Sequence, residues 1–189
     1  MRLCMMKHLY HYYELARGPF LSITDLPLHE AKVLEGQLRE DKSLFASKRA
    51  DDYLLIRREL EQVARNLFIE KGGKPIRTTP QYMTLGQCPW IKEWYREGQQ
   101  LEIHIDEFDE GTISFTYGDL FPTMRYQDGK PYRRKIYTLD EIYLLIKEYG
   151  MPQEWNANGD QGPERYIEVQ IWDDKPLLKY ISECKGAYE

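Results

Sequence analysis

Three polar residues in the second half of the sequence are of the types that acid–base chemistry requires. His104 and Asp106 lie two residues apart in a segment that alternates between apolar and polar side chains, and Asp119 follows between a glycine and a proline. A histidine flanked by carboxylates can take up and release a proton near neutral pH. These three residues are the candidate catalytic residues, but alternating polar residues are also typical of the solvent face of a strand.

A long basic and aromatic segment supplies candidate ligand-binding residues. The segment runs from Lys71 to Trp94, whereas connecting segments are usually short and polar. Binding residues concentrate on such segments, and tryptophan, tyrosine and arginine dominate binding hot spots. With one arginine from a later basic group that could hold an anion, the candidate ligand-binding residues are Lys74, Arg77, Tyr82, Trp90, Trp94 and Arg125.

No stretch of the sequence carries a specific metal, cofactor or nucleotide signature. The three cysteines are Cys4, Cys88 and Cys184. They form no CxxC pair, which argues against a zinc site or a disulfide framework. The strand segment 168–170 resembles the acid–x–basic motif of metal-dependent nucleases, but Gln170 replaces the usual lysine, and neither Asp119 nor Asp160 lies at a persuasive spacing. We therefore predict neither a metal site nor a cofactor.

Composition and charge restrict the classes of partner. The chain has 189 residues and a net charge of −5. This acidic total disfavours nucleic acid as a partner, although the local basic residues leave a small anionic ligand open. No apolar run approaches the length that crosses a bilayer, and the N-terminus lacks the apolar centre of a signal peptide. We therefore expect a cytoplasmic protein without a membrane partner.

The first half of the chain is predicted to be mostly helical. Residues 9–13 favour a short strand, and apolar spacing predicts a helix over about 27–40. A longer helix, over about 50–70, ends at two glycines. Its apolar stripe consists of Tyr53, Ile56, Leu60, Val63 and Leu67. The stripe is either part of the core or the seam of a dimer, and periodicity alone leaves both open.

The second half is predicted to consist mostly of strands. Alternation and turn residues predict a hairpin of 101–106 with 112–117, in which His104 lies opposite Ser114. A second hairpin is predicted around Asp128-Gly129. The remaining predicted elements are a short helix at 89–96, a helix from a capping box at Thr138 to Gly150, and strands at 166–172 and 177–181.

This order of elements predicts an α+β fold in a single domain, 1–189. Residues 1–72 form a helical N-terminal part, 73–98 a basic-aromatic connecting loop, and 99–182 a part rich in strands. The helices are expected to pack on one face of a mostly antiparallel sheet of two or three hairpins, with one further helix between strands. The other face is then left for water, a ligand or a second copy of the chain.

Several segments are similar to a set of uncharacterised bacterial proteins. They are the run from Lys71 to Trp94, the YGD and PT residues of 117–123, and residues 166–172. The resemblance implies no activity and assigns no catalytic residue. Two functional hypotheses stay open. One is a binding protein that uses the basic-aromatic loop as a homodimer or with a protein partner. The other is a small hydrolase or transferase that acts on a phosphorylated or nucleotide-like substrate.

Overall fold

The computed structural model describes residues 7–186, so Cys4 lies outside the described part. Five strands form one sheet: β1 (His8–Glu14), β2 (Gln81–Leu85), β3 (Gly98–His104), β4 (Ile113–Tyr117) and β5 (Ile167–Ile171). The α-helices within these residues are α1 (Leu28–Glu40), α2 (Tyr53–Glu70), α3 (Leu120–Arg125), α4 (Leu139–Tyr149), α5 (Pro152–Trp155) and α6 (Leu178–Gly186). The predicted α+β class is confirmed.

The strands of the sheet pair antiparallel in the order β3-β1-β2-β5-β4. One face packs against α4 through Ile142 and Ile146. The other face packs against α2 and α3 through residues that include Phe68 and Leu120. Because helices cover both faces, every residue of β4 and β5 is buried. The second face is therefore not left open over these strands, contrary to the expectation from alternation.

The predicted hairpin of 101–106 with 112–117 is wrong, because β3 and β4 lie at opposite edges of the sheet. His104 pairs with His8, and Ser114 pairs with Gln170. Between the two strands, a pair of 3₁₀ turns and the buried side chains of Ile105 and Phe108 carry the chain away from β3. Alternation identifies a strand and its two faces, but it does not identify the neighbouring strand.

The second predicted hairpin and the last predicted strand are also wrong. Asp119 accepts a hydrogen bond from the backbone N–H of Phe121 (2.7 Å) and so caps α3, which replaces the first arm of that hairpin. The Asp128 carboxylate holds Arg133 at 2.8 and 2.6 Å instead of starting a paired strand. At 177–181 a 3₁₀ turn leads into α6, and Pro176 lies in the first turn, where its missing N–H costs nothing.

The predicted connecting loop contains a central strand of the sheet. β2 pairs with β1 on one side and with β5 on the other. Met83 and Leu85 pack into the larger core cluster, whereas Tyr82 packs against the cluster under α2. The glycines and prolines that indicated a loop lie on either side of this strand. The predicted helix at 89–96 is a 3₁₀ turn, Pro89–Trp94.

Helix α2 forms as predicted, but its buried face is rotated relative to the predicted stripe. Leu54, Glu61, Ala64 and Phe68 are buried, whereas Val63 of the stripe is 45 % exposed. The rotation brings a fully buried glutamate into the core, so the stripe is only partly core. A dimer that uses the exposed residues of the stripe stays a prediction.

The helix predicted from the capping box is α4. Both capping hydrogen bonds at Thr138 are present, and Gly150 ends the helix with a φ of 79°. None of the described helices is long and apolar enough to span a membrane.

Candidate ligand-binding site

A cavity of about 580 Å³ lies between the sheet and the helices that cover its second face. Tyr12, Tyr82 and Glu168 contribute to it from β1, β2 and β5. Helices α1, α2 and α3 and the residues around Leu44 and Trp94 complete its walls. The cavity therefore joins the N-terminal helical part to the sheet and to part of the basic-aromatic segment.

Aromatic rings form much of the cavity wall. Phe45 stacks on Trp94 with ring centroids 4.4 Å apart, and Tyr53 stacks on Phe121 at 5.1 Å. Leucines of α1 and α2, together with aliphatic residues of the segments before and after α1, supply further apolar surface. Rings held in pairs present fixed, flat apolar surfaces, which favour contact with planar or aliphatic molecules.

Two carboxyl groups and a phenol meet on the wall formed by α3 and β5. The Tyr166 hydroxyl donates to Asp119 Oδ2 at 2.8 Å and lies 3.5 Å from Glu168 Oε2. Glu168 Oε1 accepts hydrogen bonds from the backbone N–H of Leu120 and from the Gln170 amide, both at 3.2 Å. Because all three acidic groups line the cavity, a bound molecule could exchange protons with them.

The charged form of the Glu168 carboxyl is disfavoured in the folded protein. Burial raises the pKa of its carboxyl well above the ordinary value, and the negative charge of Asp119 raises it further. Burial and the same two carboxyls raise the pKa of the Tyr166 hydroxyl. The wall therefore carries a carboxyl whose protonated form is favoured next to a second carboxyl, an arrangement in which one group can donate and the other accept.

A buried ion pair between Arg57 and Glu61 lies where α2 meets the cavity. Arg57 Nε donates to Glu61 Oε1 at 2.8 Å, and the Tyr82 hydroxyl and the Thr24 hydroxyl donate to the same oxygen at 2.8 and 3.2 Å. Burial alone would lower the pKa of Arg57, but Tyr53 and Glu61 outweigh it and the pKa lies above the ordinary value. Arg57 therefore keeps its charge inside the protein.

His11 lines the cavity but is not free to act as a base. His11 Nδ1 bonds to the backbone carbonyl of Tyr82 at 2.9 Å, and His11 Nε2 accepts from the backbone N–H of Phe20 at 2.9 Å. Burial lowers its pKa to about 4, so the ring is neutral. Both ring nitrogens are thus used to hold β1 against its neighbours.

The structure brings together only some of the residues predicted from the sequence. Tyr82, Trp94 and Asp119 line the cavity. Trp90 lies beside the cavity, with its ring centroid 5.4 Å from that of Trp94. The central carbon of the Arg165 guanidinium lies 3.6 Å from the Trp90 ring centroid. Tyr82, Trp90 and Trp94 come from one segment and Asp119 from another, so their meeting depends on the fold.

The predicted basic ligand-binding residues lie elsewhere. Arg77 forms ion pairs with Asp25 and Asp174, so its charge is satisfied by its own chain. Lys74 lies at the 3₁₀ turn of 110–112, with its backbone N–H bonded to the Gly111 carbonyl. The central carbon of the Arg125 guanidinium lies 4.8 Å from the Phe121 ring centroid. None of Lys74, Arg77 and Arg125 lines the cavity.

His104 and Asp106 form a local pair at the sheet edge, outside the cavity. His104 Nδ1 lies 3.4 Å from an Asp106 carboxylate oxygen, and the Asp106 side chain is 74 % exposed. His104 also contacts the His8 ring edge-on at 5.1 Å. Within residues 7–186, no three His, Cys, Asp or Glu side chains come together in a way that could hold a metal ion.

Arg57, Glu61 and Tyr166 were missed as site residues, and Glu168 was assigned no role. A glutamate four residues after an arginine on an otherwise apolar helix face was one available signal. Tyr166 and Glu168 also alternate with two buried aliphatic residues of β5. Neither signal reveals burial until α2 is known to cover the polar face of the sheet.

Comparisons with known proteins add no relative to this description. The chain matches no known protein-family model, no curated protein and no solved structure.

Proposed function

We propose that this protein binds a small, largely apolar organic molecule inside the cavity. The observation that carries the proposal is the cavity itself, about 580 Å³ with aromatic and aliphatic walls and a few convergent polar groups. Binding sites for small molecules are usually mostly apolar clefts of roughly 300–1,000 Å³ with a small number of polar side chains that fix orientation. The cavity has the size and the composition of such a site.

Helix α1 is the wall that offers a route of entry. Ala31 is its only fully buried residue, while Leu34 and Leu38 line the cavity without being fully buried. Segments with few buried apolar contacts open at low free-energy cost. A ligand can therefore reach the interior by displacing α1 without unfolding the sheet.

This proposal keeps binding as the function but moves it from the surface of the basic-aromatic loop to the interior. Arg77 is engaged by Asp25 and Asp174, which argues against its use as a surface anchor. Trp94 and Tyr82, in contrast, line the cavity and are available to a ligand. A homodimer, a protein partner and a cytoplasmic location remain predictions from the sequence.

We expect Ala46→Trp to abolish binding of phenylnaphthylamine, an uncharged probe whose fluorescence increases in apolar surroundings. Ala46 lines the cavity, so an indole at this position would occupy the space that the probe needs. Titration of the native protein should give saturable fluorescence enhancement, and the variant should lose at least roughly tenfold in affinity.

The matched control is Ser47→Trp, the same substitution one residue further along. Ser47 is partly buried but does not line the cavity, so its variant should bind the probe like the native protein. If both variants bind equally well, or if the native protein gives no saturable signal, the proposed site is wrong.

A second candidate function is catalysis by proton transfer in the same cavity. It is favoured by the wall where Glu168, whose pKa is raised, and Asp119 flank the Tyr166 hydroxyl. A hydrolase or transferase of this kind would use Asp119 and Glu168 rather than His104 and Asp106. Its first requirement, an uncharged Glu168 at neutral pH, can be tested without a substrate.

A further inference from the structure

We infer that the molecule held in the cavity is an amphipathic organic anion, such as a carboxylic acid with an apolar body, and that Arg57 binds its charged group. This inference rests on the proposed function and adds the chemical class of the ligand. It is carried by the hydrogen-bond geometry of Arg57 and by a second guanidinium, that of Arg49, on the cavity wall.

Arg57 has hydrogen-bond donors that no residue of 7–186 uses. A guanidinium carries five N–H donors in a fixed plane. Nε donates to Glu61 Oε1 at 2.8 Å and Nη2 donates to Ser22 Oγ at 3.2 Å, and no other hydrogen bond from Arg57 occurs among residues 7–186. Three donors therefore remain on a side chain that lines the cavity. A carboxylate can accept two of them at once, as arginine–carboxylate pairs commonly do.

The orientation of the guanidinium is already fixed before a ligand binds. Its central carbon lies over the Tyr82 ring, 4.9 Å from the ring centroid. Glu61 and Ser22 hold it from two sides. Because the side chain is already ordered in the free protein, binding an anion costs little additional conformational entropy.

A second cation supports the assignment of an anion. Arg49 also lines the cavity, with its guanidinium 4.5 Å from the Tyr53 ring centroid. It forms no ion pair with any residue in the described part of the chain. Glu61 pairs with Arg57, whereas the Arg49 guanidinium has no carboxylate of residues 7–186 within ion-pair distance.

The wall with Asp119, Tyr166 and Glu168 would bind a charged ligand group more weakly than Arg57 would. Asp119 Oδ1 accepts from the Phe121 backbone N–H and Oδ2 from the Tyr166 hydroxyl, so each oxygen already has a donor. Burial and the charge of Asp119 raise the pKa of Glu168, which disfavours a negative charge there. This wall can hydrogen-bond a neutral part of the ligand, while the free donors of Arg57 attract the anionic end.

The test compares two probes that share one aromatic frame. Phenylnaphthylamine is uncharged, and anilinonaphthalene sulfonate carries an anionic group on the same two ring systems. The variant is the double substitution Arg57→Gln and Glu61→Gln, which removes both charges of the buried pair together and leaves no unpaired charge behind. Arg49→Gln, at a partly exposed site, is the second variant.

We expect the double variant to lose roughly tenfold or more in affinity for the sulfonate probe and to change by less than about twofold for phenylnaphthylamine. Arg49→Gln should show the same selectivity with a smaller loss. In the native protein, decanoate should displace phenylnaphthylamine at lower concentration than decanol does.

Equal losses for both probes in the double variant, or no loss for either, would overturn the anionic class of the ligand. Failure of the underlying site gives a different result, because phenylnaphthylamine would then not bind the native protein or would bind Ala46→Trp unchanged.

Discussion

Replacing Glu61 with leucine is expected to lower the free energy of unfolding by about 3–5 kcal/mol. Glu61 has no exposed surface, and its Oε1 accepts hydrogen bonds from Arg57, Tyr82 and Thr24. Its removal leaves the Arg57 guanidinium buried without its counter-ion and takes away the acceptor of two hydroxyl groups. An unpaired charge in the interior costs far more than the leucine gains from apolar contact.

Urea unfolding followed by circular dichroism measures this loss. Glu59→Leu is the matched control, because Glu59 lies on the exposed side of the same helix and its substitution should change stability by less than about 0.5 kcal/mol. The double variant with Gln at positions 57 and 61 should recover most of the stability that Glu61→Leu loses. A loss below about 1 kcal/mol in Glu61→Leu would mean that the ion pair is not buried as described.

Replacing Glu168 with glutamine is expected to make the protein progressively more stable, relative to the native chain, as the pH rises above about 4.5. The folded state holds the Glu168 proton to a higher pH than the unfolded state does. In the native protein, the stabilisation is fully present below the unfolded pKa and is lost as the pH rises towards the folded pKa. The variant has no such proton. The stability difference between Glu168→Gln and the native protein should therefore grow by about 1.4 kcal/mol per pH unit between the unfolded and the folded pKa of Glu168.

Denaturation of both proteins at a series of pH values gives this difference, and infrared spectroscopy gives the protonation state. The native protein should show a carboxylic-acid band at neutral pH that is missing in Glu168→Gln. Asp119→Asn should lower the folded-state pKa of Glu168, because it removes the neighbouring charge that raises this pKa. The pH range over which the stability difference grows should then be shorter. A stability difference that is flat with pH, with no acid band, would exclude an uncharged Glu168 and with it the proton-transfer function.

The elements that the sequence predicts well are those whose signals are local. The capping box at Thr138 and the closing Gly150 define α4 within a short stretch of chain, and apolar spacing defines α1 and α2. Strand pairing is different, because the partners of β5 lie about 50 and 80 residues away in sequence. Both predicted hairpins followed nearby turn residues. The first joined strands that lie at opposite edges of the sheet, and the second was placed where no strand forms.

The candidate site follows the same division. Tyr82, Trp94 and Asp119 could be selected by residue type, since aromatic and acidic residues in irregular sequence often bind ligands. Arg57 and Glu168 acquire their roles only from burial between α2 and the sheet. Lys74 and Arg77 were selected by charge, but Arg77 is held by Asp25 and Asp174, whose positions no local pattern reveals.

The most direct test of the central claim is a methyl NMR titration of the native protein with phenylnaphthylamine. If a small organic molecule binds in the cavity, the methyl signals of Leu34, Leu38 and Ile91 should shift and saturate together. Methyl groups on the α4 side of the sheet, such as those of Ile142 and Ile171, should change little. Shifts confined to exposed side chains such as Leu144, or no saturable shifts at all, would contradict the claim that the cavity binds ligands.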